Sequence, residues 1–452
     1  MSIYNRVYQH LIFPALERLQ HTCIQKELEF LNKSQWWSQK DLKKYQLKQL
    51  KALIRHAYRT VPYYRKIFKQ IGLQPDDIGK LEDLERVPLL TKEDIRNNFS
   101  ELLSTDYLSY RPVLNSSSGS TGKPLVYYQT IRGISTLWAA GYRGWGWAGY
   151  ERGDKYVTLG GSSLLPSHMS LKKRIRYLLE RNMPLSSFNM DPIQTQRYIE
   201  KIAKFKPKYI RGYPSSLYIL AKYIDQNNKT PFQPRAVFTT AETLLKHQRE
   251  FIERTFGCEV FDGYGCRDGS VSAMECPEHQ GYHISAEQAI LEFLPQDPGI
   301  HHGSFYEIIT TDLSNYSMPF IRYRTGDIGI PDEEPCSCGR GLPIIKKIEG
   351  RLINLILRSD GALVSGLPLT DIFEHIQMEC DAIREYQIIQ EKNKEISVTI
   401  VKGDEFSSLH EELIRREFRQ YLGEGIEIRI EYSSEIPETS AGKRLYVISK
   451  LS

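Results

Sequence analysis

No stretch of this chain reaches the roughly 18 to 20 apolar residues that a membrane-spanning helix needs, which excludes an anchor of that type. The amino-terminal MSIYNRVYQHLIFPALERLQ lacks an unbroken apolar core followed by a small-residue cleavage site. A secretory signal is therefore not expected, and the cytoplasm is the expected compartment. Long blocks of Lys and Arg are missing as well. A formal net charge of +5 is thin over 452 residues, and without a basic run to track a phosphate backbone, nucleic-acid binding is not expected. Cysteine is scarce: seven in so long a chain make no disulfide framework. The strong charge imbalance of disordered chains is absent too, since 40% hydrophobic and 25% charged residues suit a globular protein with a sizeable core. No internal repeat or low-complexity tract interrupts it.

What is present points to two domains. The length is two to three times that of a typical single domain. The first hundred residues read as helical, with Leu47, Leu50, Leu53, Ile54 and Ala57 at spacings of three and four until Pro62 ends the pattern. Asp191 and Pro192 suit the N-cap and first turn of a helix running to about Phe205. Strand KYIRG, a helix over Pro214 to Ile224, strand AVFTT, a helix over Lys246 to Phe256 and strand CEVFDGYG follow. Alternation of this kind predicts an α/β architecture with a largely parallel, covered sheet. Beyond Gly350 the pattern changes to β-rich runs (Tyr386 to Gln390, Ile396 to Val401), a helix over Leu409 to Leu422 and the strand IEIRIEY. A large domain over 1–350 and a small α+β domain over 351–452 are expected, with the boundary near Arg351 to Asn354.

Ser116 to Lys123 is a run of small hydroxyl and glycine residues closed by a cation. Glycines let backbone N–H groups approach a phosphate, hydroxyls donate to it, and the lysine offsets its charge. This is not a Walker A loop, because Gly119 and Gly122 are separated by two residues instead of four and Pro124 follows the lysine. Alone, the run also suits a surface turn. Its company narrows the choice. Ser117 to Pro124 resembles, at all but one position, the SSGTTGKP phosphate loop of the adenylate-forming superfamily. FDGYGCRD (Phe261 to Asp268) resembles the YGxTE segment, YRTGD (Tyr323 to Asp327) is identical to the ribose-binding motif, and Gly350 with Arg351 resembles the GRxxD hinge. TSAGK (Thr439 to Lys443) resembles the segment that carries the adenylation lysine. Within the superfamily, LERVPLLTKEDIRNNF, HAYRTVPYYR, RGYPSSL and TTAETL resemble the phenylacetate-CoA ligase branch, particularly its relatives encoded with capsular polysaccharide genes.

That resemblance implies a large N-terminal adenylate-forming domain of layered sheets and helices, and a small mobile C-terminal domain. It implies ATP and Mg2+, with Ser117, Ser118, Gly119, Ser120, Thr121, Gly122 and Lys123 around the phosphates, Tyr264 and Gly265 at the adenine, Asp327 at the ribose and Asp268 at magnesium. Glu242 would line the nucleotide or acyl pocket, and Arg351 would touch phosphate or ribose. Lys443 would be the catalytic cation. The chemistry asks for such groups: a carboxylate attacking the α-phosphate of ATP brings two anions together, so catalysis must position them and neutralise developing charge. Asp268 stands where the pattern has glutamate, and Asn354 where it has the hinge aspartate. The implied activity is ATP-dependent conversion of a small carboxylic acid to its acyl-adenylate and transfer to a thiol, CoA or that of a carrier protein. Transfer to a carrier protein or a glycan, and a nucleotide-binding protein without catalysis, are the alternatives. A wall of aromatic and glycine residues, Trp138, Gly141, Tyr142, Trp145, Gly146 and Trp147, leans toward a flat or compact apolar acid.

A second constellation stands apart. Cys276, His279 and His283 in CPEHQGYH precede Cys336 and Cys338 in CSCGR by some fifty residues. Thiolates and imidazoles in two short clusters suit a tetrahedral structural Zn2+. One histidine is surplus; the longer separation from Cys276 favours His283 over His279. Oligomeric state is not readable.

Overall fold

The computed structural model describes residues 2–117, 125–161, 164–165, 170–188, 190–227, 232–295, 306–351, 354–361, 363–439 and 444–451. They belong to two compact units. The first draws on 1–294, 308–325 and 330–347, and the second on 295–307, 326–329 and 348–452.

Local sequence accounts for most helices of the first unit. Ser38 caps the helix Gln39–Thr60 by accepting from the Asp41 N–H, and its stripe Leu42, Leu50, Leu53, Ile54 and Ala57 is buried. Pro62 both ends that helix and begins the next, Pro62–Gln70, because a first-turn proline gives up only an N–H that would be unpaired anyway. Asp191 accepts from the Gln194 N–H at 2.7 Å and starts the helix Pro192–Phe205; a cap of this kind stabilises by about 1 kcal/mol.

The hairpin β1 (Pro112–Ser116) and β2 (Val126–Thr130) is antiparallel. Eleven of the described strands form one sheet: β3 (Tyr156–Gly160), β4 (Asn182–Ser186), β5 (Tyr209–Gly212), β6 (Ala236–Thr240), β7 (Glu259–Cys266), β8 (Val271–Glu275), β9 (Tyr282–Ile284), β10 (Ala289–Pro295), β11 (Tyr306–Asp312), β12 (Tyr323–Asp332) and β13 (Ile344–Arg351). Their order is β10-β11-β12-β13-β9-β8-β7-β6-β5-β3-β4. β3 to β7 pair in parallel, and β3 is buried throughout, as expected of strands covered on both faces. The sheet is less parallel than the alternation predicts. β7 to β9 and β13 are antiparallel, because β7 and β8 are joined by four residues and a parallel return needs a crossover of a dozen or more.

The helix Ile131–Trp147 carries Arg143, whose side chain is almost wholly buried against an equally buried Glu287. Arg143 Nη1 donates to Glu287 Oε1 at 2.8 Å and to the Leu31 carbonyl at 3.1 Å, while Nη2 donates to Ser285 Oγ at 2.9 Å. Removing one partner strands a charge. We expect Arg143→Met to lower the unfolding free energy by about 3 to 5 kcal/mol, and Arg143→Met with Glu287→Gln to recover part of it. Urea denaturation of both variants checks this; equal losses in the two would show that packing, not charge, dominates.

In the second unit β14 (Leu355–Leu357) and β15 (Leu363–Ser365) pair antiparallel, and β16 (Ile383–Lys392), β17 (Glu395–Lys402), β18 (Glu427–Tyr432) and β19 (Val447–Ser449) form a sheet in the order β18-β17-β16-β19. The helices Thr370–Glu379 and Ser408–Leu422 contribute Phe373, Ile376, Ile414 and Phe418 to its core. Phe373 stacks on Tyr386 with ring centroids 4.0 Å apart. Among the described residues no helix is long and apolar enough to cross a membrane.

Candidate functional site

The phosphate-loop candidates Ser118, Gly119, Ser120, Thr121, Gly122 and Lys123 lie outside the described residues, and so does Lys443. The neck of that loop is described. Ser117 N–H donates to the Leu125 carbonyl at 2.8 Å, and Leu125 N–H returns a bond to Ser117 Oγ at 3.0 Å. Ser117 is thus bonded to Leu125 through both its backbone and its hydroxyl.

Tyr264 and Gly265 are the sixth and seventh residues of β7, paired with Ala273 and Ser272. Asp268 follows in the turn. Its Oδ2 accepts from Tyr323 Oη at 2.6 Å, and its Oδ1 accepts from Cys266 Sγ at 3.1 Å. A buried tyrosine at the start of YRTGD therefore holds the acid at the end of FDGYGCRD, although 55 residues separate them. Nothing in either motif announces that bond. The segment LERVPLLTKED lies alongside: Leu90 N–H donates to the Arg322 carbonyl and Arg324 N–H to the Leu90 carbonyl, each at 2.9 Å. Arg322 also donates to the Val87 and Glu85 carbonyls at 2.7 and 3.0 Å.

Glu242 Oε2 accepts from the Ser215 N–H at 3.1 Å, in the first turn of the helix Pro214–Gln226, where a carboxylate offsets the positive helix end. Ala241 before it has φ +72°, a conformation that costs a non-glycine residue energy and accompanies functional turns.

Within the second unit Arg351 Nε lies 3.0 Å from Asp327 Oδ1, so these two candidates come together. Asn354 Oδ1 accepts from the Arg351 N–H at 2.6 Å, while its Nδ2 donates to the Val447 carbonyl at 2.6 Å. The second bond explains the departure from the hinge pattern, since a carboxylate there has no hydrogen to offer and would face a carbonyl oxygen. Gly350 at φ +92° fits beneath, where a Cβ would come within 2.6 Å of Asn354 Oδ1.

Cys276, His283, Cys336 and Cys338 form the one group of potential metal ligands found among the described residues, with all donor atoms within 4.8 Å of one another. Cys276 follows β8, His283 lies in β9 opposite Ile344 of β13, and both other cysteines precede β13. Cys276 and Cys336 sulfurs are 3.6 Å apart, and Cys338 Sγ is 3.4 Å from His283 Nε2. A tetrahedron with zinc bonds of usual length has edges of about 3.5 to 3.8 Å, so three thiols and one imidazole fit that ion. Burial, with Arg340 and Arg143 nearby, pushes His283 down to about 4 and keeps the ring neutral, the form that ligates. Burial pushes the Cys276 thiol up to about 12. Gly281 at φ +105° makes the turn, where a Cβ would meet the Ile345 carbonyl at 2.6 Å. His279 is engaged elsewhere: its Nδ1 is 3.2 Å from Glu275 Oε2. Trp147 packs edge-on to His283 and Arg340 lies over Trp147.

The class this architecture defines is the adenylate-forming ligase fold. The structure aligns with a 2-hydroxyisobutyryl-CoA ligase crystallised in its postadenylation state with R3-HIB-AMP, at a TM-score of 0.66, 19% identity and 90% coverage of each chain. In sequence it is 30% identical to the phenylacetate-coenzyme A ligase of Aromatoleum evansii over 72% of each chain. It is also 25% identical to Protein CapK of Staphylococcus aureus over 91% of this chain and 90% of that one. The family model of the CapK C-terminal domain matches residues 356–450. The chain belongs to the phenylacetate-coenzyme A ligase family, whose members are AMP-forming acid–thiol ligases.

Proposed function

We propose that this chain activates a small carboxylic acid with ATP as the acyl-adenylate and then passes the acyl group to the thiol of CoA. The observation that carries this reading is the 2.6 Å bond from Tyr323 to Asp268, which fixes a carboxylate at the end of β7, beyond Tyr264, where nucleotide-binding sheets take their ligands. Tyr264 offers its ring to adenine. Asp327 accepts from the ribose hydroxyls, with Arg351 orienting its carboxylate. Ser117 to Lys123 hold the phosphates.

Each Asp268 oxygen keeps a lone pair beyond the one engaged by Tyr323 or Cys266, which fits Mg2+, an ion usually bound through one or two carboxylates, water and phosphate. Mg2+ bound there would neutralise charge on the phosphates and leaving pyrophosphate. Lys443 donates to the acid carboxylate and the α-phosphate as negative charge gathers between them. The cluster of Cys276, His283, Cys336 and Cys338 binds a structural Zn2+, since four protein ligands leave no open position. A second reading takes a carrier protein or a glycan as the acceptor. Use of ATP and a free thiol supports a cytoplasmic reaction.

The test is acid-dependent pyrophosphate release with ATP and Mg2+ over aryl, aliphatic, amino and sugar acids, with and without CoA. Release that rises with CoA for at least one acid is expected. Release indifferent to CoA transfers weight to the carrier or glycan acceptor, and silence across the panel overturns acid activation.

A further inference from the structure

Arg211 is the third residue of β5, level with Thr158 of β3 and Phe238 of β6. Residues level across a sheet share a face. On this face the helix Ile131–Trp147 lays Trp145 against Phe238, with ring centroids 5.4 Å apart, and the Arg211 guanidinium sits 5.1 Å from the Trp145 ring centre. The guanidinium is only partly exposed. The ionisable groups that interact with it include the phenols of Tyr156, Tyr142, Tyr213 and Tyr177 and a second cation, Arg267; among the described residues no carboxylate pairs with it. Burial and Arg267 both pull its pKa down. Arg267 itself is exposed in the turn after β7, adjoining Asp268.

A half-buried guanidinium without a carboxylate partner among the described residues is an unfavourable arrangement, and its contact with Trp145 offsets only part of its desolvation. A bound anion removes the conflict. Arg211 lies one residue from the carboxyl end of β5, where ligands of parallel sheets bind. Its position beside Trp145 puts it against the aromatic cluster of Trp145, Tyr142 and Phe238, where the helix Ile131–Trp147 packs on the sheet.

We propose that Arg211, seconded by Arg267, selects an acid bearing a second anionic group, a carboxylate or phosphate remote from the carboxylate that is activated. Arg211 forms a charge-assisted, bidentate contact with that remote group; a purely apolar aryl acid leaves both cations unpaired. This inference rests on the acid-activating reading. It revises the lean toward an apolar acid, because an aromatic wall with a guanidinium lying on it presents a charge to the ligand.

The experiment compares pyrophosphate release from matched pairs, glutarate against valerate and 3-phosphoglycerate against butyrate, with phenylacetate alongside. The wild-type chain is expected to prefer the dianionic member of a pair by about 100-fold in kcat/KM. Arg211→Gln is expected to erase that preference by raising KM for the dianionic acid, with kcat and KM for ATP little changed, and Arg211→Lys to restore part of it. Because Arg211→Gln removes a cation that Arg267 repels, its thermal midpoint should equal or exceed that of the wild type. Monoanionic acids turned over equally well by the wild type overturn the inference and leave acid activation standing. A rise in KM for ATP with every acid also overturns it, since the arginines then serve the nucleotide phosphates. No release from any acid overturns acid activation, and this inference with it.

Discussion

Lys443→Ala is expected to lower acid-dependent pyrophosphate release by roughly 100- to 1000-fold, the loss usual when one donor to a developing anion is removed. Two negative groups must meet in this step. No neutral side chain replaces the charge that a lysine supplies as the carboxylate oxygen closes on the α-phosphate. The described residues beside it are fixed: Arg444 pairs with Glu385 at 2.5 Å and with Glu438 at 3.4 Å, and β19 pairs in parallel with β16 three residues on. Because the charge that Lys443 meets exists only while the adenylate forms, thioester formation from a preformed acyl-adenylate should survive the substitution. The thermal midpoint should be unchanged. Measuring both half-reactions separates the possibilities. A loss under tenfold in adenylation, or equal losses in both half-reactions, would remove Lys443 from the catalytic role.

The parallel strands and their helices were legible because local signals agree there. Asp191 with Pro192 marks one helix start, and AVFTT stands alone as a buried strand. The antiparallel part of the sheet was not legible from alternation, since among the described residues β8 to β13 follow one another without intervening helices. Motif residues could be named one by one, but not their mutual bonds. Tyr323 stood in a quoted motif, yet its hold on Asp268 depends on two chain segments meeting in space. Asn354 looked like a departure until the Val447 carbonyl gave its amide a reason. The choice between two histidines was legible in part. Their spacings from Cys276, three and seven residues, favour His283 in the sequence, and the structure adds that His279 Nδ1 lies 3.2 Å from Glu275 Oε2.

The metal cluster carries the other large effect. Protein purified without chelators should hold about one zinc per chain, and Cys276→Ser should abolish binding and lower the thermal midpoint by about 10 °C. The physical reason lies in what remains when the ion leaves. Cys276 is fully buried and Cys336 nearly so; without the ion the CPEHQGYH turn and the CSCGR loop share exposed hydrogen bonds from Ser337 to Glu278 and Gln280, and all seven thiols of the chain are free. Losing the ion also unseats Trp147, packed on His283 and bonded to Gln35 through its indole N–H at 2.9 Å, so tryptophan fluorescence should report the release. His279→Ala is the discriminating control. Its ring is engaged with Glu275, so zinc content should be unchanged, whereas His283→Ala should lower it. Less than half an equivalent of zinc in the wild-type protein, or equal zinc loss in both histidine variants, would overturn this assignment of ligands.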